Sequence, residues 1–201
     1  LSKASQLPTL LSNLENSGTP DGFFNFFVAQ DQKDSSKQIA VIYQGGLSLP
    51  DRDYYIVDSP RFKTIRAEYL AHIARMFTLA GDTPELAAKE AAAAMQIETA
   101  MAKASTSRTD LRQPENRYHI YTLVDFDKLA PAFDWSKYFK AVGIGPFDTL
   151  NVATPNYFKE LSTLIPTEPL SSWKSYLRWH VLHGQANALP KAFFDENFDF
   201  F

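Results

Sequence analysis

Residues 59–81 read SPRFKTIRAEYLAHIARMFTLAG and residues 83–104 read TPELAAKEAAAAMQIETAMAKA. Each stretch opens on a hydroxyl residue followed by proline. The hydroxyl is placed to cap a helix, and the proline takes the first helical position, where its missing N–H removes no bond. In the first stretch Ile65, Tyr69, Ile73, Met76, Phe77 and Ala80 recur at three-and-four spacing and make one apolar face, which Gly81 ends. In the second, Leu86, Ala93, Ile97 and Met101 form the predicted buried side of a helix whose alanines allow close approach to its neighbours. A link of only Gly81-Asp82-Thr83 predicts that the two helices fold back on one another. The expected fold class is therefore mainly α, a multi-helical domain with a long antiparallel helix pair near Pro60–Ala80 and Pro84–Ala104.

Working outward, leucines at 7, 10, 11 and 14 give a helical stripe that Gly18-Thr19-Pro20-Asp21-Gly22 stops. The runs Phe23–Ala29 and Gln38–Tyr43 flank a polar connector and predict a small β-hairpin, the one convincing β signal. Further helices are expected over Leu123–Leu129, Trp135–Val142, Pro155–Leu164, Leu170 to about Ala188, and from Pro190 onward. Thr122, Asp134 and Thr154 are candidate caps. Without an internal repeat or a low-complexity linker, residues 1–201 read as a single domain.

The chain has 201 residues, 16 Phe, 9 Tyr and 3 Trp, and 45% apolar residues, a composition suited to an aromatic-rich globular body. A net charge of −3 and the lack of any dense Lys/Arg run argue against nucleic acid as a partner. With no cysteine, thiolate chemistry is excluded. No apolar stretch reaches the ~18 residues that span a bilayer. Leu1–Gln6 lack the features of a leader, and the last ten residues, AFFDENFDFF, have no polar tail. The natural chain is therefore expected to continue beyond 201, with Phe193, Phe194, Phe198, Phe200 and Phe201 meeting residues outside it.

Candidate chemistry is sparse. His180 and His183, three apart on a predicted helix, are geometrically a metal pair. They lack a third ligand by any sequence rule, and a zincin helix needs His-Glu-x-x-His, which is absent. The favoured reading of both is local hydrogen bonding, and His72 and His119 read as single residues without a partner. Glu90 and Glu98 lie about 12 Å apart along a helix, beyond the ~5–9.5 Å of paired glycosidase carboxylates. Glu98 reads instead as a structural ion-pair partner for one of Arg66, Arg75, Arg108, Arg112 and Arg117. Phosphate-loop, dinucleotide and Gly-x-Ser-x-Gly signatures are missing. No catalytic, cofactor-binding or metal residue is assigned.

The segment Gly45-Gly46-Leu47-Ser48-Leu49-Pro50-Asp51-Arg52-Asp53-Tyr54-Tyr55 closely resembles the GLGLPDRDYY signature of the M13 (neprilysin-like) zinc metallopeptidases. Ser107-Arg108-Thr109-Asp110-Leu111-Arg112-Gln113-Pro114 is similar to the family's Ser-Arg-x-Asp-x-Arg-Asp-Pro, with Gln113 in place of Asp. Arg66–Ile73, Met76–Gly81, Met95–Ser105, Tyr118-His119, Pro155–Phe158 and Trp173–His180 continue the resemblance over essentially the whole chain. By its own chemistry Pro50–Tyr55 reads as a joint: Asp51 or Asp53 accepts turn amides, and Tyr54 and Tyr55 bury rings while their hydroxyls stay bonded.

The resemblance implies the N-terminal, mainly helical part of a peptidase, facing a thermolysin-like catalytic domain across an internal chamber. Zinc and every catalytic residue would then lie in the parent protein outside this chain. It further implies oligopeptide substrates, the downstream catalytic domain as partner, and an extracellular, periplasmic or membrane-anchored exported setting. The role expected of these residues is to cover the chamber and restrict substrate size. The alternative is a stand-alone helical module that binds peptides or a protein without catalysis.

Overall fold

The computed structural model describes residues 1–18 and 22–201. In chain order the elements are α1 (Leu7–Asn16), β1 (Phe24–Gln30), β2 (Gln38–Gln44), α2 (Asp53–Ile56), α3 (Pro60–Leu79), α4 (Pro84–Ala104), β3 (Ile120–Thr122), α5 (Leu123–Leu129), α6 (Trp135–Ala141), β4 (Thr149–Val152), α7 (Pro155–Thr167), α8 (Leu170–Gly184) and α9 (Lys191–Phe200). The fold is mainly helical, as the periodicity predicts. Of the expected stop after α1, Gly18 has φ 74°, the left-handed region that suits glycine, while residues 19–21 lie outside the described residues.

Backbone contacts group the chain into two compact units, residues 1–46 with 104–167, and residues 47–103 with 168–201. The first unit holds the sheet. The hairpin pairs Phe24 with Gln44 through Gln30 with Gln38, but it is half of a larger sheet of order β1-β2-β4-β3. β2 runs parallel to β4, and β3 antiparallel to it. The two added strands are three and four residues long, too short to carry a readable alternation, and only pairing to β2 gives them identity. Thr154, expected as a cap for α7, instead accepts the Gln44 amide at 3.0 Å and so ties the end of β2 to the end of β4.

One face of this sheet is packed with rings. Phe24 lies 5.1 Å from Trp135 and 5.1 Å from Tyr138, and Phe126 lies 4.4 Å from Trp135 and 5.4 Å from Phe158. The Tyr157 hydroxyl shares its proton between the carbonyl oxygens of Phe23 and Gly45, which flank the open end of the hairpin, so the hydroxyl of a fully buried ring is satisfied. Burial pushes that phenol's pKa far up.

In the second unit, Ser59 accepts the Phe62 amide and Thr83 the Leu86 amide, so both predicted caps form. Tyr69, Ile73, Met76 and Phe77 of α3 are fully buried with Ala87, Ala91, Ala94 and Ala102 of α4 in one cluster. Tyr69 bonds to Glu98 across the pair, the antiparallel register that the short link implies. Two facing residues were misread. Ala80 and Leu86 are exposed, and the inward stripe of α4 starts at Ala87, because a face made mostly of alanine gives the apolar pattern too little contrast to fix its angle. α9 packs on α3, with Phe193 and Phe200 half-buried against the cluster and Phe194 and Phe198 exposed.

At Gly45 an added Cβ would lie 3.0 Å from the backbone of Phe24 and 2.9 Å from the Asn25 amide. The Gly45→Ala change should destabilise the chain by about 1–3 kcal/mol, since backbone atoms have no rotamer through which to yield. A urea midpoint unchanged from wild type would show that the hairpin gives way freely.

Candidate functional site

The densest polar cluster surrounds Glu98, whose side chain is fully buried on α4. One carboxylate oxygen, Oε1, accepts the Ser48 hydroxyl at 2.8 Å and lies 3.0 Å from His180 Nε2. The other, Oε2, accepts the hydroxyls of Tyr55 at 3.0 Å and Tyr69 at 2.7 Å. An ionised carboxylate only accepts, so the His180 contact requires a proton on Nε2. A second layer orients the donors. Trp179 Nε1 donates to the Tyr69 hydroxyl at 2.8 Å and to Ser48 Oγ at 3.1 Å, and the Leu49 amide donates to the Tyr55 hydroxyl at 2.9 Å.

Each donor arrives for a local reason. Ser48 and Tyr55 come from the quoted Gly45–Tyr55 segment. There Asp51 Oδ1 accepts the Asp53 amide at 2.8 Å and forms the turn that opens α2. Tyr69 sits on the inward face of α3, and Trp179 and His180 on that of α8. Burial, then the Glu98 charge, pushes the pKa of both Tyr55 and Tyr69 well up, so they are held as donors. The carboxylate has its acceptor capacity filled and no exposure. It can fix four segments of backbone in place, but it has no free lone pair or path for a substrate.

The expected arginine partner of Glu98 is therefore replaced by hydroxyls and an imidazole. Arg66 instead donates to the carbonyls of Tyr54 and Val57, at 2.8 and 3.1 Å, and Arg75 to Glu196 at 2.7 Å. A hydroxyl carries its donor without a second buried charge, which suits a site this dry. Glu90 belongs to a different set. It accepts from Arg178 at 2.9 Å, whose guanidinium also makes a bidentate pair with Asp82 and lies 4.9 Å over the Phe77 ring. The signal that was missed is symmetry: Tyr69 and Glu98 stand nearly equidistant from the Gly81-Asp82-Thr83 link, so an antiparallel pair brings them level.

The histidines do not converge. His180 serves Glu98, whereas His183 Nδ1 lies 2.9 Å from Asn197 Oδ1 and its ring stacks on Trp179 at 5.3 Å. His72, expected to stand alone, meets Glu196 at 2.8 Å through Nδ1 and stacks on Phe200 at 4.7 Å, while its Nε2 is buried without a hydrogen-bond partner. Burial lowers its pKa against the pull of Glu196. His119 lies in the other unit, where its amide donates to Asn151. Among the described residues no group of three or more His, Cys, Asp or Glu side chains is placed to hold a metal ion. Among the described residues no helix is long and apolar enough to cross a membrane.

Comparison with known proteins gives a consistent result. The N-terminal model of Peptidase family M13 matches residues 2–201. Endothelin-converting enzyme 1 of Cavia porcellus is 29% identical over 178 residues, which cover 86% of this chain and 24% of that protein. Among solved structures, zinc metalloprotease Zmp1 of Mycobacterium tuberculosis in complex with an inhibitor superposes with a TM-score of 0.93 at 29% identity, covering 100% of this chain and 30% of that one. The same protein in its open state gives 0.93 at 28% identity. The chain thus spans about a quarter of the length of the curated relatives it matches.

Glu98→Gln keeps the shape but turns one acceptor oxygen into a donor facing donors. It should destabilise the chain by about 2–4 kcal/mol, the range for an unsatisfied buried polar group in a broken network. A loss under ~1 kcal/mol in urea unfolding would mean that the network contributes little. For His72, a folded pKa below the unfolded value means that the unfolded chain binds the extra proton first. Stability should therefore be intact above about pH 6.5 and decline as pH falls through that value toward the lower folded pKa. His72→Phe should flatten this slope in pH-dependent unfolding, and an unaltered slope would assign it to other groups.

Proposed function

Because the chain belongs to Peptidase family M13, we propose that it is the non-catalytic N-terminal part of a zinc metalloendopeptidase acting on oligopeptides, where it covers the active-site chamber and restricts substrate size. The observation that carries this is the match of residues 2–201 to the family together with a structure whose described residues provide no metal-binding group. The described residues provide no group that could hold zinc, and in this reading zinc and the hydrolytic step belong to the remainder of the parent protein. An exported setting, extracellular, periplasmic or membrane-anchored, is part of the same proposal.

The physical role is exclusion. A helical wall with a dry, cross-bonded interior admits flexible peptides to a closed chamber and keeps folded proteins out, and closure removes water from the reacting groups.

The test is the natural full-length protein beside the 201-residue chain. The former should cleave short quenched peptides in a chelator-sensitive way and leave the same sequence uncut within a folded domain, while the latter should cleave neither. A reading frame with no downstream zinc-binding helix, or cleavage indifferent to chelators, would overturn the proposal.

A further inference from the structure

Along β1 the side chains alternate, and Phe24 and Phe26 turn toward the helices. On the opposite face Phe27 and Ala29 line, with Ile39 and Val41 of β2, a half-open groove of about 460 Å³ in the first unit. Phe27 is 47% exposed there, an unusual state for a phenylalanine in a paired strand. Arg117 and Tyr43 also line the groove. The Arg117 Nε is buried without an acceptor, and neither the guanidinium nor the Tyr43 hydroxyl has a hydrogen-bond or ion-pair partner among the described residues. The two are near enough for the guanidinium charge to lower the phenol's pKa, against the larger raising by burial.

Of the other polar side chains that line the groove, all but Gln32 are already engaged. Asn25 donates to the Gln44 carbonyl, Gln30 to that of Ser35 and Tyr118 to Asp31, while Asn151 bonds the Arg117 carbonyl and the His119 amide. A sheet face also offers no free backbone amides. A peptide main chain laid here would lose water from its amides with nothing in return. A ligand whose polar atoms are gathered in one anionic head can set them all against the guanidinium, whose charge offsets the lost hydration, and one guanidinium matches a single negative charge. The volume lies within the range of small-ligand sites.

We propose that this groove binds a small amphiphilic monocarboxylate, an aliphatic or aryl-alkyl acid whose carboxylate meets Arg117 and the Tyr43 hydroxyl while its apolar body lies along Phe27, Ile39 and Val41. This site is independent of the peptidase reading, and either proposal stands if the other fails.

The test uses octanoate and octanamide as probes in calorimetric titration of the natural full-length protein, with a diazirine-bearing octanoate to locate the site. Octanoate should bind at least about tenfold more tightly than the amide, the margin of one charge-assisted contact. Arg117→Gln should abolish that preference, Tyr43→Phe should reduce it, and Val41→Glu should remove binding of both probes. The photolabel should map to β1, β2 or residues 117–118. Absence of saturable octanoate binding, a preference that survives Arg117→Gln, or a label elsewhere would overturn the site. Should Arg117→Gln fail to fold, the Tyr43→Phe titration and the label position decide the matter.

Discussion

A carboxylate buried without a lysine or arginine is tolerable only if its surroundings replace water almost completely, and Glu98 meets that demand with three hydroxyls and an imidazole. The donors come from the Leu47–Tyr55 segment, α3 and α8, so one anion on α4 sets the positions of three other stretches of chain. Hydrophobic contact alone would allow α3 and α4 to slide, since alanine faces lack relief. Directional bonds at 2.7–3.0 Å fix the register. The tyrosines supply rings to the core and hydroxyls to the anion, which is why this cluster uses Tyr55 and Tyr69 where phenylalanine would pack equally well.

This explains the segment from Gly45 to Tyr55 in physical terms. Gly45 is pressed against the Phe24 backbone, Ser48 both donates to Glu98 and accepts from Trp179, and Tyr55 closes back on the Leu49 amide. Ser48, where the family signature has glycine, adds one donor and one acceptor at the point of highest polar density. A conspicuous motif thus marks a clamp in this chain, and the hydroxyls of Ser48 and Tyr55 are consumed in holding the fold.

In the proposed role as the wall of a reaction chamber, a satisfied polar core gives rigidity without offering reactive groups of its own. The groove proposed for recognition lies elsewhere, on the open face of the small sheet.

Helix positions and types were legible in the sequence, because proline, hydroxyl caps, terminal glycines and three-and-four periodicity act within a few residues of where they stand. Leu123–Leu129 and Pro84–Ala104 fall at the bounds their patterns imply. Family membership was legible as well, since it rests on residue identity along the whole chain. The partners of Glu98, the pairing of Ile120–Thr122 and Thr149–Val152 into the sheet, the diversion of Thr154 from capping to sheet closure, and the docking of Glu196 on His72 were decided by tertiary structure alone. Each joins residues about 30 or more positions apart, through bonds whose geometry no local spacing encodes. Glu98 showed that a charge needed a partner, and only the packed helices determined that hydroxyls would arrive before any arginine.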